Sequence, residues 1–188
     1  MLNKIEKYML ANEIMPRKSV LIGLSGGADS VALTHLLYQL GKKYGFSMFA
    51  AHINHCLRGD DAVRDERFSA DFAKSLGIRF FSHKADVRAI AEKEKISEET
   101  AGRNVRYSFF EKVMSENGIE CCATAHHRND NAETIFMNFV RGSGVNGLCG
   151  IPVRRGAFIR PLLCLSRTEI ESYCRENGLS FVTDGTNN

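Results

Sequence analysis

The chain has 188 residues, 44% hydrophobic and 25% charged, a profile that fits one globular domain with a sizeable core and excludes a disordered or fibrous chain. Its net charge of +3 permits a nucleic-acid partner without arguing for one, since surface lysines alone would supply it. The six cysteines contain no Cys-x-x-Cys, and the adjacent Cys121 and Cys122 would point to opposite faces of a strand, so a zinc ribbon and a disulfide framework give way to reduced thiols. Residues 2–14 then read as a short amphipathic helix. The opening MLNKIEKYML carries charges at Lys4, Glu6 and Lys7 and no long apolar stretch; neither a signal peptide nor a membrane span is expected, and the expected location is cytoplasmic.

Residues 20–24 form an apolar run, read as a buried strand. It stops at Ser25-Gly26-Gly27-Ala28-Asp29-Ser30, and an apolar helical pattern begins at Val31. A helix N-terminus offers unpaired N–H groups and partial positive charge, which suits an anion. Gly26 and Gly27 lack a Cβ and let the backbone approach that anion, while Ser25 and Ser30 add hydroxyl donors. An ordinary strand-to-helix turn is the alternative; two serines, two glycines and an aspartate in one turn favour a phosphate site. No lysine follows the glycines as the Walker loop requires, and the dinucleotide G-x-G-x-x-G pattern is absent. The turn resembles the SGGxDS signature of the PP-loop ATP pyrophosphatase superfamily, whose members split ATP into AMP and pyrophosphate to activate a carbonyl oxygen. The resemblance implies that Ser25, Gly26, Gly27 and Ser30 cradle the leaving pyrophosphate. Ala28 belongs to the same nucleotide-binding turn, and Asp29 would lie beside the phosphates or their magnesium.

Further strand-like runs fall at 46–53, 78–83 and 121–125, separated by helical patterns near 31–43, 62–76, 86–94, 98–116 and 129–140. Such alternation predicts an α/β fold: a doubly wound, mostly parallel sheet with helices on both faces, spanning 1–188 as one domain. Ser97 with Glu98 and Glu99 marks a helix start. The stretch 157–163 carries Pro161 and is expected at a sheet edge. A last amphipathic helix spans 167–177 and stops at Gly178. In a doubly wound sheet, ligands sit beyond the C-terminal strand ends, and the polar motifs fall there.

The second strand ends in His52-Ile53-Asn54-His55-Cys56-Leu57-Arg58, a polar cluster that fits a site and an ordinary loop equally. The fourth ends in Ala125-His126-His127-Arg128-Asn129-Asp130-Asn131-Ala132-Glu133. Asp130 and Glu133 are i, i+3 neighbours, while Ala132, Ile135, Phe136 and Phe139 lie opposite and are expected to form the helix's core contact. The acids read as a solvated first turn, as a magnesium or substrate-amine site, or, less well, as zinc ligands with His126 and His127, whose adjacency is wrong for zinc. Arg103 and Arg106, again i, i+3, suit a triphosphate, an RNA backbone or a surface ion-pair network; Val105 and Phe109 are expected to pack inward.

The ordered blocks SGGADS (25–30), HINHCLRGDDAVRDE (52–66), AGRNVRY (101–107), TAHHRNDNAETI (124–135), VRGSGVNGLCGI (140–151), RPLL (160–163) and VTDGTNN (182–188) resemble the N-terminal catalytic domain of the tRNA(Ile)-lysidine synthetase family. The resemblance implies a ligase that uses ATP and magnesium to adenylate O2 of the wobble cytidine in tRNA(Ile) with a CAU anticodon. Free L-lysine then attacks C2 and expels AMP. It implies Asp29, Asp130, Glu133 and Arg103 in catalysis, Asp29 and Asp130 toward magnesium, and His52 and Asn54 at the adenosine. His55, Arg58, Arg106, His126, His127 and Arg141 fall on the tRNA and substrate side, and a homodimer is left open. Gly102 departs from the helix-favouring residue the family usually has there. The family's C-terminal tRNA-binding domains are expected to be absent from this chain, which on that reading binds ATP with magnesium and forms little lysidine. Two rivals remain: a tRNA 2-thiolation enzyme of the same superfamily, and a noncatalytic nucleotide- or RNA-binding module.

Overall fold

A computed structural model of the protein describes residues 1–57, 59–142 and 149–183. Strands β1 (Ser19–Gly23), β2 (Ser47–Asn54), β3 (Arg79–Lys84), β4 (Cys121–Ala123), β5 (Arg154–Arg155) and β6 (Phe158–Ile159) form one sheet in the order β3-β2-β1-β4-β6-β5. Every neighbouring pair is parallel except β5 with β6. The helices are α1 (Leu2–Ala11), α2 (Ala28–Tyr44), α3 (Asp60–Ser75), α4 (Val87–Glu94), α5 (Glu98–Asn117), α6 (Arg128–Val140) and α7 (Arg167–Glu176). This is the expected α/β architecture. No helix among the described residues is long and apolar enough to cross a membrane.

Strand β1 is central, and its alternation sets both faces of the core. Val20 and Ile22 point into a cluster with Leu33, Leu36, Leu37 and Leu40 of α2 and Ile170 of α7. Leu21 points the other way, onto Phe110, Val113 and Met114 of α5. The four leucines of α2 follow helical spacing and are fully buried, each contributing about 1.5–3 kcal/mol. Ser97 caps α5 as its sequence announces, its Oγ accepting from the Thr100 amide at 3.1 Å. Phe109 packs inward against the α5 side of the sheet, with its ring 5.2 Å from that of His83.

Two expectations need correction. The stretch 157–163 is not an edge: Phe158 and Ile159 are buried between β4 and β5, and the edge belongs to the two-residue β5. Pro161 lies past the strand, opening the 3-10 helix Pro161–Cys164, so its missing N–H does not constrain the ladder. Helix α6 buries none of its residues. Phe136, Phe139 and Val140 are 65%, 69% and 66% exposed, so among the described residues the apolar face of this helix makes no core contact. Periodicity reports that a face is apolar but not that a neighbour covers it.

Gly102 is buried in α5, where a Cβ would meet only His55 at 3.6 Å and Val87 at 3.7 Å, ordinary contact distances. Gly102→Ala is therefore expected to stabilise the fold by about 0.5–1 kcal/mol through helix propensity, read as a raised urea midpoint at unchanged m-value.

Candidate functional site

The backbone leaves β1 at Gly23, makes one more sheet bond from the Leu24 amide to the Ala51 carbonyl at 2.9 Å, and turns. Gly26 takes φ +92, and a Cβ there would lie 3.3 Å from Phe68 and from Ser69. The left-handed conformation favours glycine, and a Cβ would also make both side chains give by a few tenths of an ångström. Gly27, extended at φ −70 and ψ 162, is the N-cap of α2. The two serine hydroxyls are wired into the turn. Ser30 Oγ accepts from the Ser25 amide at 3.2 Å, donates to the Gly27 carbonyl at 2.9 Å and lies 3.1 Å from Ser25 Oγ. From the far end of the sequence, the Val182 amide donates to the Gly26 carbonyl at 2.9 Å.

This turn forms one wall of a cavity of about 900 Å³ at the C-terminal ends of β1, β2 and β4. Ser25, Gly27, Ala28, Asp29 and Ser30 all line it. The wall from β2 carries His52, Asn54 and His55, that from α5 Arg106 and Tyr107, and that from β4 and α6 Thr124, His126 and Asp130. His52 Nδ1–H donates to the Leu24 carbonyl at 2.9 Å, and burial holds its pKa below the usual value. Burial, with the Arg106 charge second, pushes His55 down to about 4; its Nδ1 is buried without a partner among the described residues. Burial, with Arg160 second, does the same to His126, also to about 4, and its Nδ1 shares a hydrogen bond with Thr124 Oγ1 at 3.0 Å. At neutral pH these rings are uncharged, able both to donate and to accept. Asn54 shapes the loop instead: its Oδ1 accepts from the Cys56 amide at 3.0 Å and its Nδ2 donates to Glu66 at 3.1 Å.

The charged wall centres on Asp29. Arg167, the first residue of α7, donates from Nη1 to Asp29 Oδ2 at 2.7 Å and from Nε to Glu171 at 2.7 Å. His127 Nε2 lies 3.8 Å from Asp29 Oδ1, which is buried and has no hydrogen-bond partner among the described residues. Burial lifts the Asp29 carboxyl above the usual range, and Arg167 and His127 act against that rise. His127 is the N-cap of α6. Its Nδ1 accepts from the Asp130 amide at 3.3 Å, while Asp130 Oδ2 accepts from the His127 amide at 2.8 Å. With Nδ1 accepting, the ring proton is assigned to Nε2, facing Asp29.

Some residues singled out in the sequence lie outside the cavity lining. Gly26 and His127 support it from behind, and Glu133 is exposed on α6. Arg103 lies over the Tyr107 ring at 4.8 Å and lines, with Arg155, a second concavity of about 430 Å³. Arg141 follows the exposed end of α6, and Arg58 falls outside the described residues, as do 143–148 and 184–188 of the matched blocks. Conversely Arg167, Tyr107, Thr124 and the stretch 181–183 line the cavity without having been singled out. The Ser166–Glu169 capping box marks the start of α7 and so Arg167 as its first residue, but nothing local connects it to Asp29.

Among the described residues, no group of three His, Cys, Asp or Glu side chains is placed to hold a metal ion. The unpartnered, buried Asp29 Oδ1 nevertheless has the chemistry of a ligand to a hard cation, with Asp130 on the same wall.

The PP-loop domain family matches residues 2–188. The chain is 46% identical over 187 residues to a tRNA(Ile)-lysidine synthase of Clostridium tetani, covering 99% of this chain and 39% of that protein. It is 44% identical over 183 residues to one of Parabacteroides distasonis, covering 97% and 40%. The chain thus spans about two fifths of the length of the curated relatives it matches. Among solved structures, the U34-tRNA thiolase NcsA from Methanococcus maripaludis superposes with a TM-score of 0.78 at 21% identity, over 97% of this chain and 63% of that one, which shows the shared fold.

The histidine wall makes stability pH-dependent. His55 and His126 bind protons more weakly folded, near 4, than unfolded, near 6.5, so the unfolded state takes up more protons between those values. Their stabilisation is complete above about pH 6.5 and is lost as pH falls toward 4. The doubly substituted His55→Gln/His126→Gln protein is expected to show a flatter decline in urea midpoint from pH 7 to 4.5 than the parent.

Proposed function

The chain belongs to the PP-loop domain family, and from that premise we propose that it binds ATP in the 900 Å³ cavity and adenylates O2 of the wobble cytidine of tRNA(Ile) with a CAU anticodon, for displacement by free L-lysine. The observation that carries this reading is the joining, in one cavity, of the Ser25–Ser30 turn with a wall of uncharged imidazoles and the Asp130 carboxylate. The lysidine synthase relatives, matched over almost the whole of this chain, supply the substrate.

The turn and the α2 N-terminus hold the β- and γ-phosphates with backbone N–H groups and with the Ser25 and Ser30 hydroxyls once these turn from their bonds within the loop. His52 and Asn54 line the adenosine end. The cytidine O2 attacks the α-phosphorus; the bond from that phosphorus to the bridging oxygen breaks, and pyrophosphate leaves with the electron pair. Donors fixed around the turn stabilise the charge that gathers on it. Magnesium, when bound, supplies further neutralisation of the phosphates, with Asp29 through Oδ1, and Asp130, as the residues to hold it. In the second half, Asp130 and Glu133 position the lysine ammonium, which must lose a proton before its Nε attacks C2. The C2–O2 bond then breaks and AMP departs with O2. Arg103 and Arg106 meet phosphates of ATP or tRNA. Arg141 and His55 are assigned to the tRNA side, and His126 and His127 to orienting the acids.

The test incubates the protein with ATP, magnesium, lysine and tRNA(Ile) carrying an unmodified CAU anticodon, and reads the wobble cytidine by mass spectrometry. AMP on that base, with little lysine incorporated, is the expected result. ATP turnover that follows a sulfur donor instead of lysine would move the protein to the thiolases. Asp29→Ala is expected to lower pyrophosphate release at least about a hundredfold, and a variant with unchanged release would remove the turn from the reaction.

A further inference from the structure

The Asp29 carboxylate stands where the proposed phosphate chain must pass, and like charges in a partly buried site repel. Three carboxylates, Asp29, Asp130 and Glu171, act on one another here, and a single guanidinium, Arg167, is bonded to two of them. Its Nη1 is on Asp29 and its Nε on Glu171, and its Nη2 has no hydrogen-bond partner among the described residues although the side chain lines the cavity. The backbone beneath it is tied down, the Arg167 amide donating to Asn129 Oδ1 at 3.1 Å, so the start of α7 is pinned to the start of α6. The side chain itself is 47% exposed. If it leaves Asp29, the i, i+4 partner Glu171 still holds it within the cavity wall.

We propose that Arg167 is the resting counter-cation of Asp29 and passes to the phosphate chain of the nucleotide when a divalent cation takes over the Asp29 charge. The inference rests on the nucleotide reading above. Arg167 is a positioning residue in the resting site and becomes a phosphate ligand in the loaded one. Its fork of N–H donors matches phosphate oxygens as well as it matches a carboxylate. On this account the acidic cluster does not bar the phosphates, because a mobile cation is exchanged between the two anions it can serve.

Opposite signs in two binding measurements test it. At fixed pH, calorimetric titration of Arg167→Gln is expected to show ATP with saturating Mg²⁺ bound about tenfold more weakly than by the parent. Mn²⁺ alone, with no nucleotide present, should bind about threefold more tightly, because the competing cation has gone. Glu171→Gln, which leaves Arg167 less neutralised, should shift both affinities the other way. A merely structural role would weaken both ligands together and lower the melting temperature, and that outcome overturns the proposal. So does unchanged ATP affinity in Arg167→Gln when the parent binds ATP and Ser30→Ala weakens it, a pattern that spares the phosphate-turn reading. A parent protein that binds neither ATP nor pyrophosphate removes the reading and the inference together.

Discussion

One backbone position decides whether this site can exist. Gly26 has to take a left-handed φ with Phe68, Ser69 and Val182 all within about van der Waals contact of where a Cβ would be. That turn lets the chain leave the central strand and enter α2 at once, bringing the helix's free amides to the sheet end. The serines, the aspartate and the Val182 strap take their positions from it. A parallel sheet makes the arrangement general, since the C-terminal ends of β1, β2 and β4 point the same way and their loops converge on one mouth.

The cavity is divided chemically. On one side, burial strips charge from His52, His55 and His126, leaving flat rings that recognise by shape and hydrogen bonds. On the other, Arg167 pairs with Asp29 at 2.7 Å in a partly buried setting, and His127 lies between Asp29 and Asp130. A nucleotide has the same division between base and phosphates, which is why the pocket's polarity argues as strongly for its occupant as its volume does. The short distances on the charged side come from helix starts: α2, α6 and α7 all begin there, two of them with capping boxes whose acids are Asp130 and Glu169.

Much of this was legible in the residues. The SGGADS turn, the β–α alternation and the Ser97 cap each follow a local rule, and local rules survive folding because the chemistry they describe is within a few residues. What could not be read was long-range. Arg167 lies 138 positions from Asp29, and only the packing of α7 on α2 joins them. The bare face of α6 escaped for the complementary reason: Phe136 and Phe139 have the spacing of a core stripe, yet nothing in the described fold lies over them. Pro161 misled about β6 because a proline constrains the ladder only where it stands within it. The downward pKa shifts of the histidines were likewise hidden, since they come from burial in a cavity built by six separate segments.

The strap from Val182 to Gly26 ties nearly the last described residue to one of the first elements made. Protein synthesis runs in one direction, so a ribosome will have delivered β1, its turn and all of α2 long before residue 182 leaves the exit tunnel. Over that interval the turn lacks its outer wall and Asp29 lacks Arg167. The cavity is thus a late product of translation: its first wall, the turn and α2, is made early, while the last strands of the sheet and the strap that close it arrive near the end.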